Sequence, residues 1–569
     1  MEIMQHKLMV PLSLLLLFFV YADLSAQDQK PIQKSLKIKD YSPLIRQLDS
    51  LIKKRMAQYN IKGVSISLVD DKSVILQKGF GFTDKTQQST VNEKTLFSIQ
   101  SISKTYLTTA FLMEASKGNY KLDDPLTRYY PSFSIKSRFG TNEAQKITLR
   151  QLLSHRAGFC QEAPVGSNYD TVHCTYKEHI KSISDGWLRL PVGKFYSYSN
   201  EGLDLIGFVL SKKAGISIGD YLKQNLLTPL GMNNSTYNQD EAYDYGNIAK
   251  GYYRNNELKK TYIADVAAGG LYSNAADMAK FLRYQFNDCK INGKLTISPA
   301  LLTQMHTVQF KLGEQKAGYG LGIMIKPYHG ATLLYHPGGG YGYSAEQAWI
   351  PGAKLGVVIL TNSADGYAFN QEIFNEALEG MLSVKFGSLK ADKQHVHKPV
   401  IQLSDRYLKK LTGTYKTGRS LAEIRYSAKK LLLISGSDTS FLTANSNIKF
   451  SDAKGNELIF HFNKNGTPAY YINVNQNDAD FYIFNDAAND KPGANKASWR
   501  ALTGTYKGYN DRQEEIIKLF MKNGYLYCSA GGPTRVSEYK PGLLFTADGE
   551  SIFKRNSILY LGNRSYYKK

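Results

Sequence analysis

Hydrophobic and polar positions change period several times along this chain, and each change marks an element. Behind Ser42-Pro43, residues Leu44, Ile45, Leu48, Leu51, Ile52 and Met56 recur at helical spacing, with Ser42 read as the cap and Pro43 as the first-turn proline. Residues 64–69 then alternate with period two, Asp70-Asp71-Lys72 turns, and 73–80 returns, which predicts a hairpin. A short apolar run over 95–99 gives way to a helical pattern from Ser101 to about Lys117. Residues 140–290 read mostly as helices and loops. Strand patterns return at 332–335, 345–350 and 355–360, followed by a helix over 367–382. The order helix, two strands, helical insertion, three strands, helix predicts an α/β fold of the α+β type. An antiparallel sheet is flanked by helices, and an α-rich subdomain is inserted between its halves. This domain is expected over 41–388.

Beyond it the pattern breaks. Residues 389–401, which hold Gln394-His395-Val396-His397-Lys398-Pro399, read as a linker. His395 and His397 lack a further His or Cys cluster, so no metal site is expected there. Short strands rich in Tyr, Phe, Lys, Asn and Gly follow, with turns every 8 to 12 residues or so. Leu411-Thr412-Gly413-Thr414-Tyr415-Lys416 recurs as Leu502-Thr503-Gly504-Thr505-Tyr506-Lys507, and each copy opens a segment of small-barrel size. Two small antiparallel β-barrel-like domains are therefore expected, over 402–490 and 491–569, divided near Lys491-Pro492-Gly493.

At the other end, Lys7 precedes an apolar run over 8–20, and Leu24-Ser25-Ala26 places small residues before a cut. Residues 1–26 read as a secretory signal peptide and 27–40 as a flexible leader. The run is short for a membrane span, and no later apolar stretch reaches about 18 residues. Export to the periplasm or medium is expected. Export would permit a disulfide, and of the four cysteines Cys160 and Cys174 lie close enough to close a short loop. Free thiols are the alternative, and Cys289 and Cys528, in different domains, look unpaired.

The 569 residues carry a net charge of +22, with 42% hydrophobic and 21% charged positions. This is a globular composition with a lysine-rich solvated surface. The charge would also favour peripheral association with an anionic envelope. No basic stripe suggests nucleic acid.

Three local motifs carry candidate chemistry. Ser101-x-x-Lys104 puts a hydroxyl and an amine about one helical turn apart, on one face, where a helix N-terminus favours developing negative charge. Tyr198-Ser199-Asn200 follows, and then His336-Pro337-Gly338 with Gly339 and Gly340. Each alone reads more simply as a cap, a packed tyrosine or a core histidine. Together and in order they resemble the serine β-lactamase-related hydrolases of the penicillin-binding-protein fold. The resemblance is nearest to the group of class C β-lactamases, D-aminopeptidases and esterases, which carries S-x-x-K, Y-x-N and an H-x-G in place of K-T-G. Supporting stretches are 152–158, Pro229-Leu230-Gly231-Met232 and 268–273. The resemblance spans about residues 40–385, and the tail is similar to the lipocalin-like arrangement of bacterial D-aminopeptidases.

The chemistry follows residue by residue. Ser101 needs a base, and either Lys104 or Tyr198 can serve; the spacing leaves open which acts first. Asn200 is suited to holding Lys104 and a substrate amide. His336 would donate to Tyr198 or the substrate, with a charge that varies near neutral pH. Gly338 and Gly339 would let backbone approach the substrate. The resemblance implies an oxyanion hole from the N–H groups of Ser101 and Gly339. No cofactor is implied. The expected partner is a small-molecule or short-peptide substrate, peptidoglycan fragments among them. Where the family often has a lysine this chain has His336, so a fixed cation for a substrate carboxylate is weaker or absent. That favours D-amino-acid amides and small peptides first, esters second and β-lactams third. A catalytically silent envelope- or ligand-binding protein on the same scaffold is the alternative of another class. Two decoys are set aside. Gly215-Ile216-Ser217-Ile218-Gly219 matches a nucleophile-elbow pattern, but Gly215 reads as a helix end and Ser217 as the next cap. His155 reads as part of a loop bordering the site.

Overall fold

The computed structural model describes residues 39–166, 174–258, 262–264, 266–310, 316–387, 399–416, 421–435, 438–453, 455–474, 479–484, 497–510, 513–522, 524–530, 533–546 and 549–569. The expected signal peptide, nearly all of the leader, most of the linker with His395 and His397, and Lys491-Pro492-Gly493 lie outside the described residues.

A helix, α1 (Ser42–Tyr59), opens the fold. Its cap is not Ser42, as the sequence suggested. Ser42 lies inside the first turn, and its N–H donates instead to the carboxylate of Asp40 at 2.9 Å. A longer acceptor two residues upstream fills the same orphan donor. The hairpin β1 (Gly63–Asp70) and β2 (Val74–Gly81) follows. The chain then leaves the sheet for a helical region that holds α2 (Ser103–Ser116), α3 (Asn200–Ala214), α4 (Val266–Gly269) and α5 (Ala275–Phe286). It returns as β3 (Gly318–Tyr319), β4 (Met324–Tyr328), β5 (Ala331–Gly340), β6 (Tyr343–Ile350) and β7 (Leu355–Thr361), and closes with α6 (Tyr367–Phe386).

The seven strands form one antiparallel sheet in the order β2-β1-β7-β6-β5-β4-β3. Its central strands β1, β6 and β7 are buried along their whole length, because helices cover both faces. Alternation sorts their side chains. Ile66, Leu68, Val357 and Ile359 meet Leu48 and Ile52 of α1 and Phe374 and Leu378 of α6. Val69, Val358 and Leu360 face the core built on Tyr106 and Phe111 of α2. The helix α2 is buried on nearly every side, so Lys104 on it has no exposed surface.

The last two strands at one side of the sheet, β3 and β4, were not legible in the sequence. β3 has two residues, and Pro327 within β4 argues against a strand unless that strand lies near an edge, as it does here.

The tail forms two closed eight-stranded antiparallel barrels, one over 413–484 and one over 504–568. The repeated hexapeptide has a structural reason. Tyr415 and Tyr506 are fully buried in their barrels, and their hydroxyls donate to the carbonyls of Leu411 at 2.8 Å and Leu502 at 2.7 Å. Thr412 and Thr503 make the matching bonds to Lys409 and Arg500, at 2.8 and 2.7 Å. Each copy thus ties the short helix before a barrel to that barrel's first strand.

Cys160 and Cys174 do not form the bridge that their spacing allowed. The buried Cys160 thiol instead lies 3.4 Å from a carboxylate oxygen of Glu550 in the second barrel. Among the described residues no helix is long and apolar enough to cross a membrane, and no group of three or more His, Cys, Asp or Glu could hold a metal ion.

Candidate active site

The serine motif sits on a sharp turn between sheet and helix. Phe97–Ser98 pairs with Tyr272–Ser273, and the Ile99 N–H donates to the Leu271 carbonyl at 3.0 Å. Gln100 then takes a left-handed conformation, φ 50°, which a non-glycine residue adopts only at a cost. Its side chain is buried, with Nε2 donating to Ser98 Oγ at 2.6 Å. Ser101 follows on a single 3-10 turn, Gln100–Ile102, that runs straight into α2, so the helix expected to start at Ser101 starts at Ser103. This leaves Ser101 half-buried while Lys104, one turn on, is wholly enclosed.

Lys104 Nζ lies 3.1 Å from Ser101 Oγ and donates to the Ala268 carbonyl at 2.9 Å. It also sits 4.9 Å from the centre of the Tyr198 ring. Ala268 belongs to α4, whose position is fixed from α3. Asp204 Oδ1 accepts the N–H groups of Ala267 at 3.0 Å and Ala268 at 3.1 Å. A carboxylate thus orients the backbone that orients the lysine.

The Y-x-N spacing is a helix start. Ser199 caps α3, accepting from the Gly202 N–H at 3.2 Å, so Tyr198 stands just before the cap and Asn200 just after it. The Ser199 N–H in turn donates to His155 Nδ1 at 3.1 Å. The His155 ring packs 4.4 Å from that of Tyr198 and 4.6 Å from that of Tyr319. His155 therefore borders the site as expected, in a left-handed conformation, φ 56°. Asn200 does not hold Lys104. Its Nδ2 donates to Glu162 Oε1 at 2.7 Å, and Oδ1 is buried with no hydrogen-bond partner among the described residues. A buried carboxylate has claimed the amide N–H.

His336 also departs from expectation. Its Nδ1 lies 2.7 Å from the Pro337 carbonyl, an acceptor only, so Nδ1 carries the proton. Nε2, at 3.0 Å, then accepts from the Tyr319 hydroxyl. Burial, with Lys104 nearby, pushes the imidazole down to about 3, so its charge does not change near neutral pH. Its ring lies 6.4 Å from that of Tyr198. Both nitrogens are already engaged, so it shapes the pocket as a neutral group and holds Tyr319. Burial, with Tyr198 and Tyr196 close by, raises the Tyr319 phenol well above its usual range, so Tyr319 remains a donor.

The glycines divide their work. A Cβ on Gly338 would stand 2.0 Å from the Ile99 carbonyl oxygen, so this glycine lets β5 pass the nucleophile turn rather than approach a substrate. A Cβ on Gly339 would meet nothing within 4 Å, so that position borders open space. Because β4 pairs with β5 only as far as Tyr335, the stretch from His336 to Gly340 has one edge without a strand partner among the described residues.

The structure thus gathers Ser101, Lys104, Tyr198, His336, Gly338 and Gly339 around one turn, with the Asn200 amide bonded to Glu162 instead of to the lysine. Sequence reading did not find Tyr319, Glu162 or Asp204. None stands in a recognisable spacing to the motif residue that it supports.

Comparisons with known proteins bear on the fold that carries this site. The model of the family described as Beta-lactamase matches residues 48–379. Beta-lactamase-like protein 2 of Dictyostelium discoideum is 28% identical over 300 residues, 51% of this chain and 54% of that protein. The chain spans between 54% and 64% of the length of the first curated relatives it matches. The octameric penicillin-binding protein homologue from Pyrococcus abyssi is 24% identical with a TM-score of 0.53, covering 78% of this chain and 98% of that one. SurE, solved with D-Leu, is 20% identical with a TM-score of 0.54, covering 75% of this chain and 97% of that one. The chain belongs to the beta-lactamase family.

Proposed function

We propose that this protein is an exported serine hydrolase that forms an acyl-enzyme at Ser101 on small amides or esters, with D-amino-acyl amides and short peptides first among them. The observation that carries the reading is the enclosed Lys104 amine 3.1 Å from Ser101 Oγ. Held by the Ala268 carbonyl, Lys104 is placed to accept the Ser101 proton while Oγ attacks the substrate carbonyl. Tyr198, against the same amine, can give its phenol proton to the leaving group, take the proton held by Lys104 in its place, and later help water attack the ester. The N–H groups of Ser101 and Gly339 would stabilise the oxyanion, Gly339 bordering open space on the edge of β5 that has no strand partner among the described residues.

The neutral His336 bears on the substrate. It offers no positive charge to a carboxylate, which favours neutral acyl groups over β-lactams or C-terminal carboxylates. The D-Leu bound by a protein of similar fold makes D-amino-acyl amides the first substrates to try.

The test is covalent labelling by a fluorophosphonate, followed by a panel of D-amino-acid amides, short acyl esters and a chromogenic cephalosporin. Labelling that is lost in Ser101→Ala, with amide or ester turnover above cephalosporin turnover, is expected. Turnover by Ser101→Ala comparable to wild type would refute the mechanism. A wild-type chain that neither labels nor turns over would favour a silent binding protein.

A further inference from the structure

The second barrel is built into the hydrolase domain. An exposed barrel strand should alternate buried and exposed residues, yet Leu543–Thr546 is buried at all four positions. Leu544 belongs to the barrel core. Phe545, on the other face, meets the Trp187 ring at 6.0 Å and the Arg138 guanidinium at 4.0 Å. Next along the chain, a Cβ on Gly549 would stand 2.6 Å from the Arg189 carbonyl, so the loop there is pressed against the hydrolase backbone. Glu550 follows, 3.2 Å from Arg189 Nε, with side chains 6% and 14% exposed for Arg189 and Glu550. Its other oxygen lies 3.4 Å from the Cys160 thiol.

A third contact reaches furthest. Asn563, in the turn between the last two strands, is 8% exposed. Its Nδ2 donates to the Glu162 carbonyl and to Glu201 Oε1, both at 2.7 Å. These two residues flank Asn200. Glu162 holds the Asn200 side chain, Glu201 is its neighbour in α3, and the Asn200 N–H donates to the Gln161 carbonyl at 2.7 Å. One amide from the tail therefore clamps the segment that carries the Tyr198-Ser199-Asn200 motif to the Gln161-Glu162 segment that holds it.

We propose that Asn563 is a positioning residue for the active site, holding the Tyr198–Asn200 segment in register with Ser101 and Lys104 from the second barrel. The proposal rests on the serine-hydrolase reading for its kinetic consequence. Burial, with Glu162, Glu550 and Asp204 nearby, raises the Glu201 carboxyl well above its usual range, so it accepts as a neutral acid. Removing Asn563 would leave both acceptors buried without this donor. The barrel need not touch substrate to act; it supplies the back wall against which the motif is set.

The test uses the full chain with Asn563→Ala and the near-isosteric Asn563→Leu, beside Arg564→Ala. The Arg564 side chain pairs with Glu515 on the barrel wall at 3.6 Å. Two readouts are taken: kcat and KM for p-nitrophenyl acetate, and hydrogen exchange of the backbone amides of 198–202. Both Asn563 variants should lower kcat about 10-fold or more while KM stays within about 3-fold, and should speed exchange in 198–202. Barrel amides should stay protected, and Arg564→Ala should match wild type in both readouts. If Asn563→Ala unfolds the barrel, Asn563→Leu decides. Unchanged exchange in 198–202 for a folded Asn563 variant overturns the proposal, as does a loss carried by KM alone. A wild-type chain that turns over no ester and takes up no fluorophosphonate strikes the hydrolase reading, while the exchange measurement still decides the clamp.

Discussion

Replacing Gly338 by alanine tests how closely β5 and the nucleophile turn are keyed together. The added methyl would lie 2.0 Å from the Ile99 carbonyl oxygen, 3.1 Å from its carbon and 3.4 Å from Ile102 Cγ1. Carbon–oxygen contacts normally open at about 3.3 Å, so the gap must widen by roughly 1 Å. Neither side yields easily. The Gly338–Ala345 register pins β5 to β6, and the Ile99 N–H is bonded to Leu271 at 3.0 Å. Ile99 stands two residues before Ser101, so the displacement passes into the nucleophile. A misplacement of about 1 Å costs about 100-fold in rate. Overpacking costs about 1–3 kcal/mol, and the unfolding midpoint drops by roughly 2–4 °C for each. The assay is the second-order rate of fluorophosphonate labelling beside thermal unfolding followed by near-UV circular dichroism. Gly339→Ala, whose methyl meets nothing within 4 Å, should keep the wild-type midpoint. A Gly338→Ala protein that labels within about 3-fold of wild type with an unmoved midpoint would refute the steric argument.

Three further outcomes follow from the site and the barrels. Asp204→Ala removes the acceptor of two backbone N–H groups and frees the Ala268 carbonyl to drift from Lys104. Labelling of Ser101 should slow by about 10-fold or more, and an unchanged rate would remove Asp204 from the account. For His336 the sign runs one way. Above pH 6.5 neither folded nor unfolded chain protonates it, but below that the unfolded chain binds a proton that the buried ring refuses until about pH 3. Stability should therefore fall with pH across that window, by up to about 5 kcal/mol, and His336→Gln should flatten the slope in urea melts. Equal slopes would contradict the buried neutral ring. Tyr415→Phe and Tyr506→Phe should each destabilise their own barrel by about 1 kcal/mol, read as faster hydrogen exchange confined to that barrel. An effect in only one of the two would break the equivalence of the hexapeptides.

How much of this was legible in the sequence depends on where each partner lies. Ser101 with Lys104, and Tyr198 with Asn200, are local spacings set by one helical turn and one helix cap, so they could be read directly. The same local logic gave the hairpin and the buried alternation of the central strands. Tyr319, Asp204 and Glu162 act across long sequence gaps and carry no pattern of their own. Tyr319 was doubly hidden, since β3 has two residues and its neighbour β4 contains Pro327. The role of His336 was misread because its charge depends on burial and on the Pro337 and Tyr319 partners, which a motif does not encode. Asn200 was misassigned for a related reason: a side-chain amide takes whichever partner packing offers, and here that is Glu162.

The hydrogen bonds of Asn563 have a consequence for time as well as geometry. They join residues 401 and 362 positions apart, far beyond the reach of local folding. At about 5–20 residues per second, the ribosome would need roughly 20–70 s to travel from Glu201 to Asn563. The nascent hydrolase domain would thus emerge with its serine and lysine in place but with Tyr198 and Asn200 not yet clamped. Newly made protein would work about 10-fold or more below its final rate until its tail arrived, a delay fixed by the order of the code.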